Sequence, residues 1–265
     1  MNKNTVTSSV GHSLLDIGYS KNAFTLLELL ICLAIIGILA GALIPAMNAA
    51  RELARSTACK SNLRQMIIAA HAYASANDDE MPPAFIRSFS SGGESTLTWE
   101  DILWDYDTRS GRGTDGKVQQ CPSFRGGANW AGDRYTGYNY NASYIGGTRH
   151  IMNGAATRAT TSSAQLGDIK NPSNTAVFGD GQYESGANKF MRSPFPGPFD
   201  ADAGLALAGT QGFRHRGSTN VAFADASVRS LKERFTKSGG GRGGGGEAAK
   251  KCGFLSADNA MYDLE

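Results

Sequence analysis

Between Leu29 and Ala50 the chain reads LLICLAIIGILAGALIPAMNAA, 22 residues without a charge. As an α-helix rising about 1.5 Å per residue this run is about 33 Å long, enough to cross a hydrocarbon layer of roughly 30 Å. It is longer than the apolar region of roughly 7–15 residues found in an ordinary cleaved secretory signal. The run therefore predicts a helix that anchors the chain in a membrane. Gly37 and Gly41 form a G-x-x-x-G face that lets a second helix approach closely. Pro45 has no amide hydrogen to donate to the Gly41 carbonyl, which predicts a kink or a local opening at that turn.

Past the run the pattern turns amphipathic. Leu53, Thr57, Leu63, Met66, Ile67, Ala70 and Ala74 recur at helical spacing, with Arg51, Glu52, Arg55, Lys60 and Arg64 between them. Asn77-Asp78-Asp79 and then Pro82-Pro83 end the pattern. One helix is thus predicted from Phe24 to Ala76, about 80 Å long, spanning or assembling through 24–50 and lying on a folded domain through 51–76. His71 and Tyr73 near its end read as packing residues.

The chain has 265 residues, with 26 Lys and Arg against 24 Asp and Glu, so its net charge of +2 supplies no electrostatic footprint for a nucleic-acid partner. At 41% apolar it is too hydrophobic for a disordered chain, and its 33 glycines follow no G-x-y period. Residues 77–238 read as a globular α+β head. Thr98 to Tyr106 suggests a short helix capped by Thr98, with Trp99, Ile102, Leu103 and Tyr106 on one face. Thr175 to Gly179 and Asn220 to Ala224 read as strands, and Ser227 to Leu231 pairs with the second through a tight turn at Asp225-Ala226. The expected fold is α+β: a long N-terminal helix packed on a small antiparallel β-sheet, with loop-rich insertions. Residues 239–265 form a Gly-rich linker and a tail, in which Phe254, Leu255, Met261 and Tyr262 are the only sizeable anchors; the tail is expected to be mobile or weakly docked.

The residues before the apolar run narrow the reading. Lys21-Asn22-Ala23 is followed by Phe24-Thr25-Leu26-Leu27-Glu28-Leu29-Leu30, which resembles the signal of type IV pilins and type II secretion pseudopilins. The resemblance implies that residues 1–23 are a leader, removed by a prepilin peptidase between Ala23 and Phe24, and that the new amine of Phe24 is methylated. Ala23 stands where the family usually has Gly. Glu28 lies one helical turn after Phe24, on the face of the amine that cleavage releases. A carboxylate at the edge of a span is costly unless paired or protonated, and in the family this pairing joins neighbouring subunits and sets the filament register. Phe24, Glu28, Gly37, Gly41 and Pro45 are accordingly the expected assembly residues.

The head extends the resemblance. His215 and Asp225 are nine residues apart in HRGSTNVAFADA, similar to the His-x9-Asp-Gly element of a large pilin-like family of planctomycete-type bacteria, with Ala226 in place of Gly. Cys59 to Gln65, Cys121-Pro122-Ser123, Tyr138 to Asn141 and Asn171 to Gly181 also resemble that family. If the head lies outside the cytoplasm, a Cys59–Cys121 disulfide would tie the helix to it. Asp180, His215 and Asp225 could hold a divalent cation, though Arg214 and Arg216 oppose one; no other cofactor is expected. No G-x-S-x-G, H-E-x-x-H, P-loop or C-x-x-C motif is present in the sequence, which argues against an enzyme.

The resemblance implies a processed, pilin-like subunit, single-pass in a bacterial inner membrane with its head in the periplasm or beyond, as part of a secretion pseudopilus or a surface filament. Its partners would be the prepilin peptidase, other pilin or pseudopilin subunits and an inner-membrane assembly machine. The basic residues Arg51, Arg55, Lys60 and Arg64 outnumber Lys3 and Lys21 before the span, which by the positive-inside rule alone would place the head in the cytoplasm. The alternative is a signal-anchored exported binding protein that never polymerises.

Overall fold

The computed structural model describes residues 24–91, 93–103, 120–127, 137–156, 161–182, 186–195, 197–199, 210–236 and 252–265. The leader and residues 239–251 of the expected linker lie outside them. The chain divides into two compact units, Met1–Met47 and Asn48–Glu265.

Helix α1 runs from Leu26 to Ser75 and remains helical through Pro45. Its start follows from a capping box. The Thr25 hydroxyl accepts the Glu28 amide at 3.2 Å, and Glu28 Oε2 accepts the Thr25 amide at 3.0 Å. In the first unit the large apolar side chains from Phe24 to Met47 are exposed, and none of the most apolar 18-residue window is buried.

In the second unit α1 becomes one-sided, burying Cys59, Leu63, Met66, Ile67, Ala70, Tyr73 and Ala74. These pack on a five-stranded sheet ordered β10-β9-β6-β3-β7, made of β3 (Tyr138–Asn141), β6 (Ala176–Asp180), β7 (Phe190–Met191), β9 (Thr219–Phe223) and β10 (Val228–Leu231). A second sheet, ordered β2-β1-β4-β5, joins β1 (Phe85–Ser90), β2 (Gly93–Thr98), β4 (Thr148–Met152) and β5 (Ala155–Ala156). A two-residue ribbon pairs β8 (Gln211–Gly212) with β11 (Cys252–Gly253). The sheets are mixed rather than purely antiparallel, since β1 pairs β4 and β3 pairs β7 in parallel. The expected β9–β10 hairpin is present. Residues 99–103 are helical, as expected for the start of the Thr98–Tyr106 segment, with Thr98 donating its amide to Asp101 Oδ2 at 2.9 Å; Trp104 to Tyr106 lie outside the described residues.

Every residue of β6 and β9 is buried, because both faces of the five-stranded sheet are covered. Along β9 the side chains alternate: Ala222 and Ala224 join the core under α1, whereas Val221 and Phe223 join a second core with Leu255 and Tyr262 of the tail. Strand β6 breaks this alternation by a bulge between Ala176 and Phe178. Ala176 belongs to the tail-side core, while both Val177 and Phe178 belong to the helix-side core. The extra residue shifts the alternation by one and so brings Phe178, and two residues later Asp180, to the α1 side.

Two expectations need correction. The tail is not weakly held: Phe254, Leu255 and Tyr262 are fully buried, and Met261 O accepts the Ala176 amide at 2.8 Å. Asn141 Nδ2 donates to Tyr262 O at 2.7 Å, and the Tyr262 hydroxyl accepts the Leu255 amide. Leu255, Met261 and Tyr262 suffice because they complete an existing sheet face instead of having to form a core alone. The apolar stripe of α1 was also misplaced at its start, since Leu53 is 65% exposed and Thr57 is exposed. The inward face there carries Glu52, Ser56 and Cys59.

Candidate functional site

Glu52, Ser56, Cys59 and Leu63 follow one another at helical spacing, so they lie on one stripe of α1. Below that stripe β6 ends at Asp180, and the turn before β9 presents His215. The turn is a two-residue reversal: His215 and Ser218 exchange both backbone hydrogen bonds at 3.0 Å, with Arg216 at φ 54° and Gly217 at φ 81°. Left-handed backbone at both central positions is what a type I′ turn requires, and Gly217 adopts it without strain.

His215 is held from two sides, its side chain only 2% exposed. Its Nδ1 lies 3.1 Å from Glu52 Oε1 and its Nε2 3.3 Å from Asp180 Oδ2. Glu52 Oε1 also accepts the Ser123 hydroxyl at 2.8 Å, and Asp180 Oδ2 accepts the Asn220 amide at 2.7 Å. Burial pushes the His215 imidazole down, but the hydrogen bond and charge of Asp180 and the hydrogen bond to Glu52 outweigh burial and the opposing Arg214 charge, so its pKa is raised. For Glu52, burial pulls upward, yet the bonds from Ser123 and His215 hold its carboxyl below the usual range.

Cys59 of α1 and Cys121 of the loop at 120–127 are joined in a disulfide, their Cα atoms 5.2 Å apart. It lies against the histidine, with Cys121 Sγ 3.5 Å from His215 Nε2. The donor atoms of Cys59, Cys121, Asp180 and His215 all lie within 4.8 Å of one another, and all four residues are buried. Arg214 crosses beneath: its Nη2 donates to Gly137 O at 2.9 Å and to Gly181 O at 2.7 Å, and its guanidinium stacks on Phe124.

The three residues expected to gather around a cation are thus only partly gathered. Asp180 and His215 meet, but Asp225 is exposed at the β9–β10 turn, where its Oδ1 accepts the Ser227 amide at 2.8 Å. The strand between His215 and Asp225 carries them to opposite ends of β9. Sequence reasoning also missed Glu52 and Ser123 as partners of His215. The signal for Glu52 was its placement on the stripe of Cys59 and Leu63, which the neighbouring Leu53 obscured.

At the N-terminus, Ala23 lies outside the described residues and Phe24 is exposed. A side chain added at Gly37 or Gly41 would meet nothing within 4 Å among the described residues. Residues 19–44 match the family described as Prokaryotic N-terminal methylation motif. Residues 48–106 match the family described as Protein of unknown function (DUF1559). Residues 107–265 lie outside both matches. No curated protein and no solved structure matches the chain significantly.

Proposed function

We propose that this pilin-like protein, which carries a prepilin-type cleavage and methylation signal, is a structural subunit of a pseudopilus or type IV pilus-like filament. Prepilin peptidase cuts it between Ala23 and Phe24 and methylates the new amine. The subunit waits in the inner membrane on its apolar helix, its head on the extracytoplasmic side. An assembly machine supplied by other proteins then stacks it against its neighbours. Its role is mechanical, not catalytic.

The observation that carries this reading is the contrast between a match to the methylation motif at 19–44 and an apolar helix segment of which, among the described residues, none is buried. Such a segment needs lipid or other helices around it, and a filament core supplies the second. Gly37 and Gly41 offer a face for close approach. Glu28, held in the free chain by the Thr25 cap, becomes available to the amine of a neighbouring Phe24 when that cap is exchanged.

The test is the N-terminal mass of the chain recovered from its host's membranes, together with cross-linking through the helix. A mature chain beginning at methylated Phe24, cross-linked into ladders, is expected. An intact leader, or a processed chain that stays monomeric, would instead make the protein an anchored exported domain.

A further inference from the structure

We propose that the buried Cys59, Cys121, Asp180 and His215 form a second, alternative tie between α1 and the head: a tetrahedral site for one Zn²⁺ ion, available when the cysteine pair is reduced. The inference does not depend on the filament reading.

The donor set is the first argument. Two thiolates, an imidazole and a carboxylate are typical zinc ligands, and the sulfurs exclude hard cations such as calcium. Zinc bonds of about 2.0–2.3 Å place tetrahedral ligands about 3.3–3.8 Å apart. The separations from His215 Nε2 to Asp180 Oδ2 and to Cys121 Sγ are 3.3 and 3.5 Å.

The surroundings of the ligands are the second. A carboxylate can only accept, so His215 Nδ1 donates to Glu52 Oε1 and would keep that proton in the zinc form. Nε2, which faces the sulfur and Asp180, is the nitrogen that would give up its proton to take the metal. Ser123 in turn fixes Glu52. A metal-bound histidine generally has such a carboxylate behind it. Asp180 is fully buried, and its Oδ1 has no hydrogen-bond partner among the described residues. Charge also balances. Zinc with two thiolates and one carboxylate carries one net negative charge, and the buried Arg214 guanidinium supplies the opposite one. That arginine, which would oppose a cation held by carboxylates alone, suits a site with thiolates.

The two states interconvert with balanced chemistry. A dithiol reductant gives two protons and two electrons to the Cys59–Cys121 bond, becoming a disulfide itself and leaving two thiols. Zn²⁺ then displaces both thiol protons, and the proton of His215 Nε2 where the imidazole is protonated, to solvent.

The experiment uses the full chain in detergent. It is reduced anaerobically with a phosphine, freed of metal, and titrated with Zn²⁺ against a chromophoric chelator; Co²⁺ then serves as a spectroscopic probe. One equivalent of zinc in the reduced protein, none in the oxidised protein, and a tetrahedral cobalt spectrum with thiolate bands are expected. His215→Gln and Asp180→Asn should weaken binding more than tenfold, and Glu52→Gln by about 10–100-fold. Because Glu52 is partly exposed, the last variant tests the site even where the buried substitutions fail to fold. Absence of zinc from the reduced chain overturns the proposal. So does binding by His215→Gln and Asp180→Asn that equals wild type, which would mean that the cysteines alone hold the ion.

Discussion

One helix carries two halves with opposite relations to the chain. From Leu26 to Met47 its large apolar side chains are exposed, whereas from Cys59 to Ala74 its apolar stripe is buried in the head. Propensity does not separate them, since good helix formers are frequent in both, Leu and Ala in the first half and Ala in the second. What differs is the pattern: apolar on all faces in the first half, apolar on one face in the second. An all-round apolar helix requires a partner outside its own chain, and a striped one can be satisfied within it. Assembly mutations and folding mutations should therefore separate cleanly along a single helix.

The largest expected effect lies at Glu28. Glu28→Ala should abolish cross-linking between subunits while leaving the melting of the head unchanged. Normal ladders in this variant would break the comparison, because the first half would then need no specific partner charge. Next is the tie between helix and head. Replacing Cys59 and Cys121 by Ser opens a loop with a sequence separation of 62 residues, and should cost the head about 4 kcal/mol by the unfolded-chain entropy it releases. Denaturant unfolding of the full chain in detergent, with and without reductant, measures that cost.

Leucines in the two halves sharpen the contrast. Leu63 is fully buried and Leu39 is 65% exposed. Leu63→Ala should destabilise the head by about 3 kcal/mol through the cavity it leaves. Leu39→Ala should change stability by less than about 0.5 kcal/mol and act only on assembly. Equal losses of head stability in the two variants would remove the distinction.

Some of this was legible in the sequence and some was not, for physical reasons. The apolar run and the stripe through Leu63, Met66, Ile67, Ala70 and Ala74 were legible because burial imposes a period. The start of the stripe was not: it crosses the polar His215 site, so its inward positions are Glu52, Ser56 and Cys59, while Leu53 faces outward. The β9–β10 hairpin was readable from its alternation and turn. The bulge at β6, which directs Asp180 toward the helix, has no compositional mark. The partnership of Cys59, Cys121 and His215 depends on contacts between residues up to 156 positions apart in the chain (215 − 59), which no local pattern records. The sequence reading grouped His215 with Asp180 and Asp225; geometry keeps Asp180, leaves Asp225 out and adds Glu52.

In the disulfide form the second half of the helix should also make head stability depend on pH. Asp180 and Glu52 face the His215 imidazole from the sheet and from α1, and Arg214 opposes them. Because its folded pKa lies above the unfolded value of about 6.5, the contribution is fully present below about pH 6.5 and is lost as pH rises through the folded value. The Tm of the oxidised chain should fall across that window, and His215→Gln should flatten the profile. A wild-type Tm that rose there would mean that the imidazole is buried neutral.

The smallest effect concerns the turn that closes the β9–β10 hairpin. Ala226 sits at φ 63°, a left-handed conformation in which an L side chain crowds the following carbonyl at a cost of roughly 1–2 kcal/mol. Glycine would remove that crowding but loses more freedom on folding, roughly 0.5–1 kcal/mol. Ala226→Gly should therefore stabilise the head by about 0–1.5 kcal/mol, and should leave both zinc uptake and subunit cross-linking untouched, because Asp225 is not in the His215 site. A change in zinc affinity in this variant would tie the turn to that site and show that the hairpin positions His215 from the far end of β9.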